Sequence, residues 1–375
     1  MIKILFLIPN LGHGGAEKVL VNLVNHMNLN LFEITVLALY DEGVNKKFLS
    51  QNVKYKFFLK KSFHGIGHVL KVFPPRLLYR FIIRDSFDIV VSYLEGQTAR
   101  IIGGCFDHRI KKVCWIHRTM TTKKDASRLF RNEKEAEKCY ESFDYIVSVS
   151  KDVEKSFLKI FPVMRSTVLY NTNQTDLILK KAQEPIAESL FEHSEFNICG
   201  MGSLIPVKGF DRLIRVHYRL KKLGFPVHTY ILGEGNEKGS LLKLIRNLKL
   251  ENSVTLLGYS ENPYKYLKKC DLFVCSSLSE GFSTAVTEAL VLGIPVCTVN
   301  VSGMKELLGN SNEYGIVTDN DEEALYKGIK RLLDDNELLQ YYKSQALIRG
   351  EEFQTDNTVK AVENMFVELI SGKVE

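Results

Sequence analysis

The sequence predicts an α/β protein built from two doubly wound domains in tandem. At ~150 residues per domain, a chain of 375 residues is long enough for two domains. Short apolar runs alternate with helical patterns in both halves, which is typical of parallel sheets that are buried on both faces. The alternation stops once, over the polar segment 176–195, which favours a linker or hinge there.

Each predicted strand of the first half is a short run rich in Val, Ile and Leu. Each predicted helix lies between two such runs and repeats its apolar residues at helical spacing. The strands are expected at 3–8, 34–39, 87–92, 112–116 and 144–149, and the helices at 15–28, 97–105, 127–142 and 151–161.

The second half shows the same alternation, and a last amphipathic stretch at 353–371 predicts one more helix. The strands are expected at 196–201, 227–232, 253–257, 271–275, 294–298 and 315–318. The helices are expected at 209–223, 237–249, 283–292, 321–334 and 337–349.

Three segments are therefore expected. They are an N-terminal Rossmann-like domain over 1–184, a C-terminal Rossmann-like domain over 185–352, and a C-terminal helix over 353–375 that packs back towards the N-terminal domain. Ligands of open α/β sheets bind at the carboxyl ends of the strands. We therefore expect the two domains to face each other across a cleft that holds the site.

Composition excludes several classes of protein. No apolar run approaches the ~18 residues of a membrane span. The start MIKILFLIPN is too short for a signal peptide and predicts a buried strand instead. The seven cysteines form no C-x-x-C pair, which disfavours a zinc site or a redox pair. Several of them lie inside apolar runs, so we expect buried thiols in a reducing cytoplasm.

The first motif is GHGGAE at residues 12–17, between a predicted strand and a predicted helix. Glycines at a helix start expose backbone amides that can bind an anion. The dinucleotide fingerprint G-x-G-x-x-G fails because Glu17 stands at its last position. This argues against a two-domain dehydrogenase, and an ordinary tight turn is the alternative interpretation.

The second motif is Lys208-Gly209, which follows the first strand of the second half. A lysine at a strand end can meet a diphosphate as a point charge. The alternative is a solvated lysine beside a helix start.

The third motif is the strongest and runs from Glu280 to Glu288, after strand 271–275. The residues after Glu280 would offer amides at a helix N-terminus. Glu288 would lie on the second turn of that helix, where a carboxylate can accept hydrogen bonds from a ribose diol. Its apolar neighbours predict burial, and a buried Glu is rare without a partner.

Together these motifs resemble glycosyltransferase family 4, the retaining enzymes of the GT-B fold. The resemblance covers nearly the whole chain and is closest to the enzymes that build bacterial lipopolysaccharide and capsule. The motifs that carry it are GGAE at 14–17, YLEG at 93–96, WIH at 115–117, VLYN at 168–171, VKGFDRLI at 207–214, LGEG at 232–235 and E-x(7)-E at 280–288.

The resemblance implies a retaining transfer from a nucleotide-activated sugar, with a UDP-sugar favoured by the subgroup. Lys208 would neutralise the donor diphosphate, Glu288 would hold the ribose, and Glu280 would hold the donor sugar. His117 would contact that sugar near the reacting carbon. A front-face reaction, in which the leaving phosphate helps to deprotonate the acceptor, is favoured over a nucleophilic carboxylate of the kind found in retaining glycosidases. The amides that would assist belong to Gly281, Phe282, Ser283 and Thr284.

The remaining implied residues divide between the donor and the acceptor. The C-terminal domain would bind the nucleotide-sugar and the N-terminal domain the acceptor. Further donor contacts are expected at Gly15, Ser203, Gly233, Glu234, Gly258 and Tyr259. Acceptor contacts are expected at Gly14, Glu95 and Arg118.

One position departs from the family. Members commonly carry an Arg five residues before the lysine, and Ser203 occupies that position here. Ser cannot bind a diphosphate bidentately as Arg can. Either Lys208 and the helix amides suffice, or Arg118 or Arg212 assists.

No metal or other cofactor is expected. Asp319-Asn320-Asp321 is formally a D-x-D pattern, which binds a metal and a diphosphate in other glycosyltransferases. Because a helical stretch with Glu322 in its first turn follows, Asp321 is interpreted as a helix N-cap.

Charge is divided unequally along the chain. Residues 1–184 carry a net charge of +11 and residues 185–375 a net charge of −5. Residues 54–84 hold eight Lys and Arg and no acidic residue, with aromatic residues between them. In the stretch 73–84, basic residues at a spacing of four predict an interfacial helix on an anionic membrane. The alternative is a solvated helix face, and nucleic acid is disfavoured because no nucleic-acid module is visible.

The leading hypothesis is a cytoplasmic glycosyltransferase, peripheral on the inner face of the membrane. It would move a sugar to a saccharide or lipid-diphosphate-linked acceptor in the synthesis of lipopolysaccharide, O-antigen or capsule. The alternative is a catalytically silent GT-B protein that binds glycans or stabilises a partner.

Overall fold

A computed structural model describes residues 1–12, 14–62, 65–186, 191 and 196–372. They divide into an N-terminal unit of Met1–Thr172 with Thr355–Glu375, and a C-terminal unit of Asn173–Gln354. Each unit is built on one parallel sheet with helices between its strands. The prediction of two Rossmann-like domains is therefore confirmed.

The N-terminal sheet has seven parallel strands in the order β3-β2-β1-β4-β5-β6-β7. β1 lies inside the sheet, and its residues 4–8 are almost completely buried. The edge strands β3 and β7 were not predicted, because β3 is largely exposed and β7 is only three residues long. The strands are β1 Ile2–Ile8, β2 Phe32–Tyr40, β3 Lys54–Leu59, β4 Ile89–Ser92, β5 Lys111–Ile116, β6 Tyr145–Ser148 and β7 Ser166–Val168.

The C-terminal sheet has six parallel strands in the order β10-β9-β8-β11-β12-β13. The order reverses between β8 and β11, which pair directly with each other. Such a switch point opens a crevice at the carboxyl ends of the two strands, where α/β proteins bind ligands. The strands are β8 Phe196–Met201, β9 Val227–Leu232, β10 Val254–Gly258, β11 Leu272–Cys275, β12 Val296–Val299 and β13 Ile316–Thr318.

The helices connect these strands, and side chains cap several of their starts. Ser150, Ser283 and Asp321 each accept a hydrogen bond from a backbone amide in the first turn of the helix that follows. The helices of the N-terminal region are α1 Gly15–His26, α2 Ile66–Val72, α3 Pro75–Ile82, α4 Gln97–Ile102, α5 Lys123–Ala126, α6 Glu133–Glu141 and α7 Lys151–Ile160. Those that follow are α8 Thr175–Lys181, α9 Phe210–Lys222, α10 Lys238–Asn247, α11 Tyr264–Leu267, α12 Thr284–Val291, α13 Met304–Leu308, α14 Glu322–Asp334, α15 Asn336–Glu351 and α16 Thr355–Ser371.

The last helix, α16, belongs to the N-terminal unit. Phe366 is fully buried, and its ring centroid lies 6.0 Å from that of Phe6, 6.3 Å from that of Phe32 and 6.2 Å from that of Trp115. Aromatic pairs at these separations are favourable beyond their buried area. The core of the N-terminal unit is therefore completed by the last helix of the chain.

The boundary between the units lies at 172/173, whereas the sequence placed it at 184/185. The segment 173–184 packs in the C-terminal unit because helix α8 contacts α11 and α12 there. The Asn262 side-chain amide donates to the Lys181 carbonyl at 2.9 Å and to the Glu184 carboxylate at 2.8 Å. The first part of the expected hinge is thus a docked helix. The expected hinge residues 187–190 and 192–195 lie outside the described residues.

The described residues contain no helix whose length and hydropathy would let it cross a bilayer. All seven cysteines are buried and none forms a disulfide, which confirms their interpretation as small apolar core residues.

Candidate functional site

The C-terminal unit brings Lys208 and Glu280 together at its switch point. Lys208 follows β8 and Glu280 follows β11, and these two strands pair with each other. Lys208 Nζ lies 2.6 Å from Glu280 Oε1, and the Ser277 hydroxyl donates to the same oxygen at 2.6 Å. The Lys208 side chain is 25% exposed and that of Glu280 11% exposed. The lysine is therefore held in position by Glu280, and its side chain remains partly exposed.

The segment after Glu280 leads directly into helix α12. Ser283 caps this helix, and its hydroxyl accepts from the Val286 amide at 3.4 Å. Phe282 is buried, and the Ser302 hydroxyl donates to the Gly281 carbonyl at 3.3 Å. The first amides of an α-helix, here from Thr284 onwards, lack partners within the helix. Amides at such a helix N-terminus can bind an anion.

Glu288 lies on the second turn of α12 and is 2% exposed. The hydroxyl of Tyr264, on α11, donates to Glu288 Oε1 at 3.2 Å. The expectation of a buried carboxylate with a partner is thus confirmed. Tyr264 itself was not predicted, since it lies 24 residues earlier on a short helix that the sequence did not reveal.

The carboxyl ends of β9 and β10 are closely packed against each other. The Gly233 amide donates to the Gly258 carbonyl at 2.8 Å. At Gly233, with φ +145°, a Cβ would collide with the Gly202 carbonyl oxygen. Glu234 pairs with Lys238 at 2.8 Å, and Tyr259 is 49% exposed. These residues line the neighbouring strand ends of the same sheet.

Ser203, which stands where the family commonly has an Arg, is exposed. Arg212 does not take the place of that Arg. The Arg212 guanidinium is buried and donates to the carbonyls of Ser276 and Ser277, and to Asn320 Oδ1 at 2.9 Å. Arg212 therefore braces the loop that carries Glu280, and the suggestion that it assists the diphosphate directly is not supported by its position.

The Asp319-Asn320-Asp321 pattern is also explained by structure. Asp321 Oδ1 accepts from the Ala324 amide at 2.7 Å, which confirms it as the N-cap of α14. The Asn320 amide donates to the Leu278 carbonyl at 3.4 Å. Among the described residues, no three His, Cys, Asp or Glu side chains cluster in a way that could hold a metal ion.

The N-terminal unit gathers its predicted residues at the ends of β1, β4 and β5, which are neighbours in the sheet. Gly14 caps α1 and Gly15 is its first residue. A Cβ on Gly14 would collide with the Glu17 carboxylate, so a side chain there would displace Glu17. Burial raises the pKa of Glu17. His13 of the same motif lies outside the described residues.

Glu95 and His117 follow β4 and β5 and are linked through the backbone. Glu95 Oε2 accepts from the His117 amide at 3.1 Å, and Arg118 Nε lies 3.2 Å from Glu95 Oε1. Burial raises the pKa of Glu95, although its hydrogen bonds and Arg118 oppose this. Arg118 also donates to Asp125 at 2.6 Å. Asp125 was not predicted, because nothing in its local sequence distinguishes it from a surface carboxylate.

His117 has an unusual environment for a histidine. Its Nε2 is buried and has no hydrogen-bond partner among the described residues. The ring centroid lies 4.9 Å from that of Tyr93. Burial lowers the pKa of His117 to about 3, so the imidazole is neutral at physiological pH. An unpaired buried nitrogen is costly unless a ligand satisfies it.

Comparison with known proteins covers both units. Residues 13–176 match the family model for Glycosyltransferase Family 4, and residues 182–348 match that for Glycosyl transferases group 1. The chain is 31% identical over 362 residues to a Campylobacter jejuni protein, and the alignment covers 94% of this chain and 96% of that one. That protein is N-acetylgalactosamine-N,N'-diacetylbacillosaminyl-diphospho-undecaprenol 4-alpha-N-acetylgalactosaminyltransferase. The chain belongs to glycosyltransferase family 4.

A second relative of this glycosyltransferase has a related name, and a solved structure shares its fold. The O-antigen biosynthesis glycosyltransferase WclY of Escherichia coli is 28% identical over 173 residues, 44% of this chain and 46% of that one. The crystal structure of Anabaena HepE in complex with UDP-glucose matches with a TM-score of 0.79 and 19% identity, covering 98% of this chain and 100% of that one. The predicted GT-B fold is confirmed, and so is the family resemblance carried by the sequence motifs.

Proposed function

We propose that this glycosyltransferase moves a sugar from a UDP-sugar, with retention of anomeric configuration, to a saccharide carried on a lipid diphosphate. The reaction would serve the synthesis of a cell-surface polysaccharide such as lipopolysaccharide, O-antigen or capsule. It would take place at the inner face of the cytoplasmic membrane.

The pairing of Lys208 with Glu280 beside the start of α12 carries this proposal. A cation fixed 2.6 Å from a carboxylate, next to a helix N-terminus, offers both signs of charge within one crevice. A nucleotide-sugar presents a diphosphate and a hydroxylated ring on either side of the bond that breaks. Lys208 and the α12 amides suit the diphosphate, and Glu280 suits the sugar hydroxyls.

The structural relatives favour uridine as the base. Anabaena HepE, with the same fold, binds UDP and UDP-glucose. In this chain Glu288, on the second turn of α12, would hold the ribose. The base would bind at the carboxyl ends of β9 and β10, near Gly233, Glu234, Gly258 and Tyr259.

The Campylobacter jejuni relative favours a lipid-linked acceptor. Its name describes transfer of N-acetylgalactosamine to a saccharide on diphospho-undecaprenol. The acceptor would bind to the N-terminal unit, near Gly14, Glu95 and Arg118. His117 would satisfy its buried Nε2 by contact with the donor sugar.

The chemistry would depend on electrostatic stabilisation of the departing diphosphate, and stabilisation of this kind often contributes more to catalysis than any other effect. In a front-face reaction the leaving phosphate oxygen takes the acceptor proton as the new glycosidic bond forms on the same face. Glu280 would hold the sugar and would not attack it. Lys208 and the α12 amides would supply the positive potential, so we expect no metal requirement.

A surface on the N-terminal unit favours contact with an anionic membrane. Arg100 is almost fully buried and donates to the carbonyls of Leu70 at 2.9 Å and Phe73 at 2.8 Å, which fixes the turn between α2 and α3. This turn and α3 present both apolar and basic side chains to solvent, a combination typical of interfacial binding. The exposed apolar residues of α2, this turn and α3 are Val69, Val72, Phe73, Leu77 and Phe81, and the exposed Phe106 lies against Arg76 of α3.

The structure corrects the expected helix. α3 ends at Ile82, so Arg84 lies beyond it, whereas Arg76 and Arg80 lie on it one turn apart. Residues 54–59, at the start of the basic segment, form the edge strand β3. Within the basic segment, Phe63 and His64 lie outside the described residues.

A thermal-shift screen with UDP-, GDP- and ADP-sugars tests the donor. At a ligand concentration ~100-fold above its Kd, stabilisation should reach ~2.7 kcal/mol. Glu288→Gln should weaken the UDP-sugar response, while Glu337→Gln, at an exposed position of α15, should not. A response to GDP- or ADP-sugars alone would overturn the choice of uridine.

Product analysis tests the reaction. Nuclear magnetic resonance of the product should show the anomeric configuration of the donor, and activity should survive a metal chelator. An inverted product would refute retention. Binding of a UDP-sugar without any release of UDP on addition of lipid-diphosphate-linked saccharides would favour the catalytically silent alternative.

A further inference from the structure

The segment 281–283, which leads into helix α12, is held by the start of α13. The Ser302 hydroxyl donates to the Gly281 carbonyl at 3.3 Å. Gly303 has φ +78°, and a Cβ on it would lie 2.8 Å from the Gly281 carbonyl oxygen and 3.3 Å from Phe282 Cα. A backbone angle of this kind favours glycine. Because Gly303 also caps α13, the position of α13 helps to fix that of segment 281–283.

The same segment is held a second time, by the end of α15. Phe282 and Phe353 are both buried, and their ring centroids lie 6.0 Å apart at an interplanar angle of 62°. Such an edge-to-face pair is favourable beyond its buried area. Helix α15 also approaches α12 closely at Gly350, where a Cβ would lie 2.6 Å from the Leu290 carbonyl oxygen. Segment 281–283 is therefore supported by α15 as well as by α13.

Arg349, on the last turn of α15, joins these two supports. Its Nε donates to the Leu307 carbonyl at 2.9 Å and its Nη2 to the Glu306 carbonyl at 2.5 Å. Both carbonyls belong to the end of α13, where helix carbonyls lack partners within the helix and a cation is favourable. The same guanidinium lies 5.1 Å from the ring centroid of Phe353, within the range of cation–π attraction. One side chain thus binds the end of α13 and the ring that packs on Phe282.

We propose that Arg349 is a positioning residue for the donor sugar, because it holds α13 and Phe353 where they fix segment 281–283. This proposal deepens the proposed transferase function and rests on it for the ligand, a sugar linked to a nucleoside diphosphate. Glu280 and the amides that follow it are expected to bind that sugar, so a displaced segment should weaken the contacts with the sugar.

The nucleoside end of the donor should depend much less on Arg349. Glu288, which is expected to hold the ribose, has a partner of its own in the Tyr264 hydroxyl at 3.2 Å. Tyr264 lies on α11, outside the supports that Arg349 joins. A loss of Arg349 should therefore separate binding of the sugar from binding of the nucleoside.

Amide hydrogen exchange of the full chain without ligand tests the positioning directly. Arg349→Met should accelerate exchange several-fold in peptides that cover residues 281–287, because both supports of the segment loosen. Peptides around Lys208 should exchange as in the natural chain. Unchanged exchange over 281–287 would overturn the proposal.

Arg219→Met is the matched control. Arg219 also lies over an aromatic ring, 3.9 Å from the centroid of Tyr326, and it pairs with Glu323 at 2.7 Å on the surface of the same unit. Its loss should change neither the exchange over 281–287 nor the binding of a UDP-sugar.

Titration calorimetry tests the consequence for the donor. The probes are UMP and four UDP-sugars, namely UDP-glucose, UDP-galactose and their N-acetylated forms. Arg349→Met should weaken the UDP-sugar that binds best about tenfold, the equivalent of one charge-assisted hydrogen bond. The affinity for UMP should stay the same.

Two milder variants report on the proposal even if Arg349→Met does not fold. Phe353→Leu keeps most of the apolar volume but loses the ring, so it should weaken the same UDP-sugar to a smaller extent. Arg349→Lys should recover part of the affinity, because a lysine amine can still donate to one carbonyl. Combining Arg349→Met with Phe353→Leu should cost less than the sum of the single losses, since both changes remove one shared support.

The two measurements separate this proposal from the transferase proposal. Faster exchange in Arg349→Met, together with no UDP-sugar bound by the natural chain, would support the positioning role and refute the donor assignment. If the natural chain, Arg349→Met and Phe353→Leu all bind a UDP-sugar equally well, the positioning role is wrong and the donor assignment stands. Equal losses for UMP and the UDP-sugar, or the same effects in Arg219→Met, would indicate general destabilisation and overturn the proposal.

Discussion

Lys208 Nζ and Glu280 Oε1 lie 2.6 Å apart although 72 residues separate them in the chain. Two adjacent strand ends bring them together, and Ser277 shares the carboxylate oxygen. The two residues that the sequence motifs assign to the diphosphate and to the donor sugar therefore form one polar cluster. A substitution of Lys208 therefore removes the ion-pair partner of Glu280, and a substitution of Glu280 removes that of Lys208.

Lys208→Ala should weaken UDP binding by about ten- to a hundredfold. The reason is that one charge-assisted contact to the diphosphate contributes roughly 1.5–3 kcal/mol. Titration calorimetry with UDP measures the loss, and Lys208→Arg should recover part of it. Lys330→Ala, which breaks an exposed pair with Asp334, is the control. Unchanged UDP affinity in Lys208→Ala would show that the diphosphate binds elsewhere.

Arg212→Met should lower kcat about tenfold or more with little effect on UDP affinity. Arg212 holds the carbonyls of Ser276 and Ser277, and so it positions the loop that would hold the donor sugar. Steady-state kinetics and UDP titration separate the two effects. Arg212→Lys should restore kcat in part, because a lysine amine can still donate to one carbonyl.

Arg215→Met is the control for this brace. Arg215 lies on the same helix, but its partners Asp211 and Glu322 are surface carboxylates. An equal loss of kcat in Arg212→Met and Arg215→Met would mean that general stability of α9, and not loop position, explains the effect.

Ser203→Arg should strengthen UDP binding several-fold. Ser203 is exposed and stands at the family's usual Arg position, and an Arg there can bind the diphosphate bidentately. Ser203→Lys, which adds only a point charge, should give a smaller gain. If neither variant changes the Kd for UDP, the diphosphate lies out of reach of position 203.

Acid should destabilise the C-terminal unit through His217. This buried histidine bonds Thr229 Oγ1 at 2.8 Å and Ser253 Oγ at 3.0 Å, and burial lowers its pKa to about 3. Between about pH 6.5, the unfolded pKa, and pH 3, only the unfolded chain binds the proton. The free energy of unfolding should therefore decrease as the pH decreases, by up to ~1.4 kcal/mol for each pH unit in that window.

Urea unfolding across this pH range measures the slope for His217. His217→Gln should flatten it by up to one proton equivalent. A His217→Gln slope as steep as that of the natural chain would contradict this assignment.

Binding to anionic vesicles should depend on α3 and the turn before it. Arg76→Ser with Arg80→Ser should reduce sedimentation with such vesicles and reduce its sensitivity to salt, at about 1 kcal/mol for each charge near the surface. Val72→Ser with Phe73→Ser should reduce binding at every salt concentration, because both apolar side chains are exposed on a fixed turn.

The matched control for the membrane surface is Lys54→Ser with Lys56→Ser. These lysines belong to the same basic segment, but they pair with Glu33 and Asp85 on the surface. Equal losses in the Arg76/Arg80 and Lys54/Lys56 variants would indicate general attraction by net charge. No binding at low salt would refute the membrane surface.

The sequence predicts the buried strands and the motif positions well, because both depend on local patterns. β11 and the start of α12 combine an apolar run, a glycine and a helix cap, and these signals agree with one another. Helix α8 was interpreted as hinge because its packing against α12 leaves no local trace. The same is true of Tyr264 and Ser277, whose roles arise only from long-range contacts.

The placement of Arg212 shows the limit most clearly. Its sequence position, four residues after Lys208, is compatible with either a diphosphate contact or a structural role. Only the burial of the guanidinium and its bonds to Ser276 and Ser277 decide between them. Burial of a charged side chain is set by the neighbouring strand loops, which no single-sequence pattern encodes.

The position of helix α16 in the sequence affects the order in which the two units can complete their folding. The ribosome makes Phe6 and Phe32 long before Phe366, which covers them. Until then the first sheet carries an apolar gap, while residues of the C-terminal unit can already fold. The domain that is translated first is therefore expected to mature last, and a premature stop before Thr355 should damage the beginning of the protein more than its end.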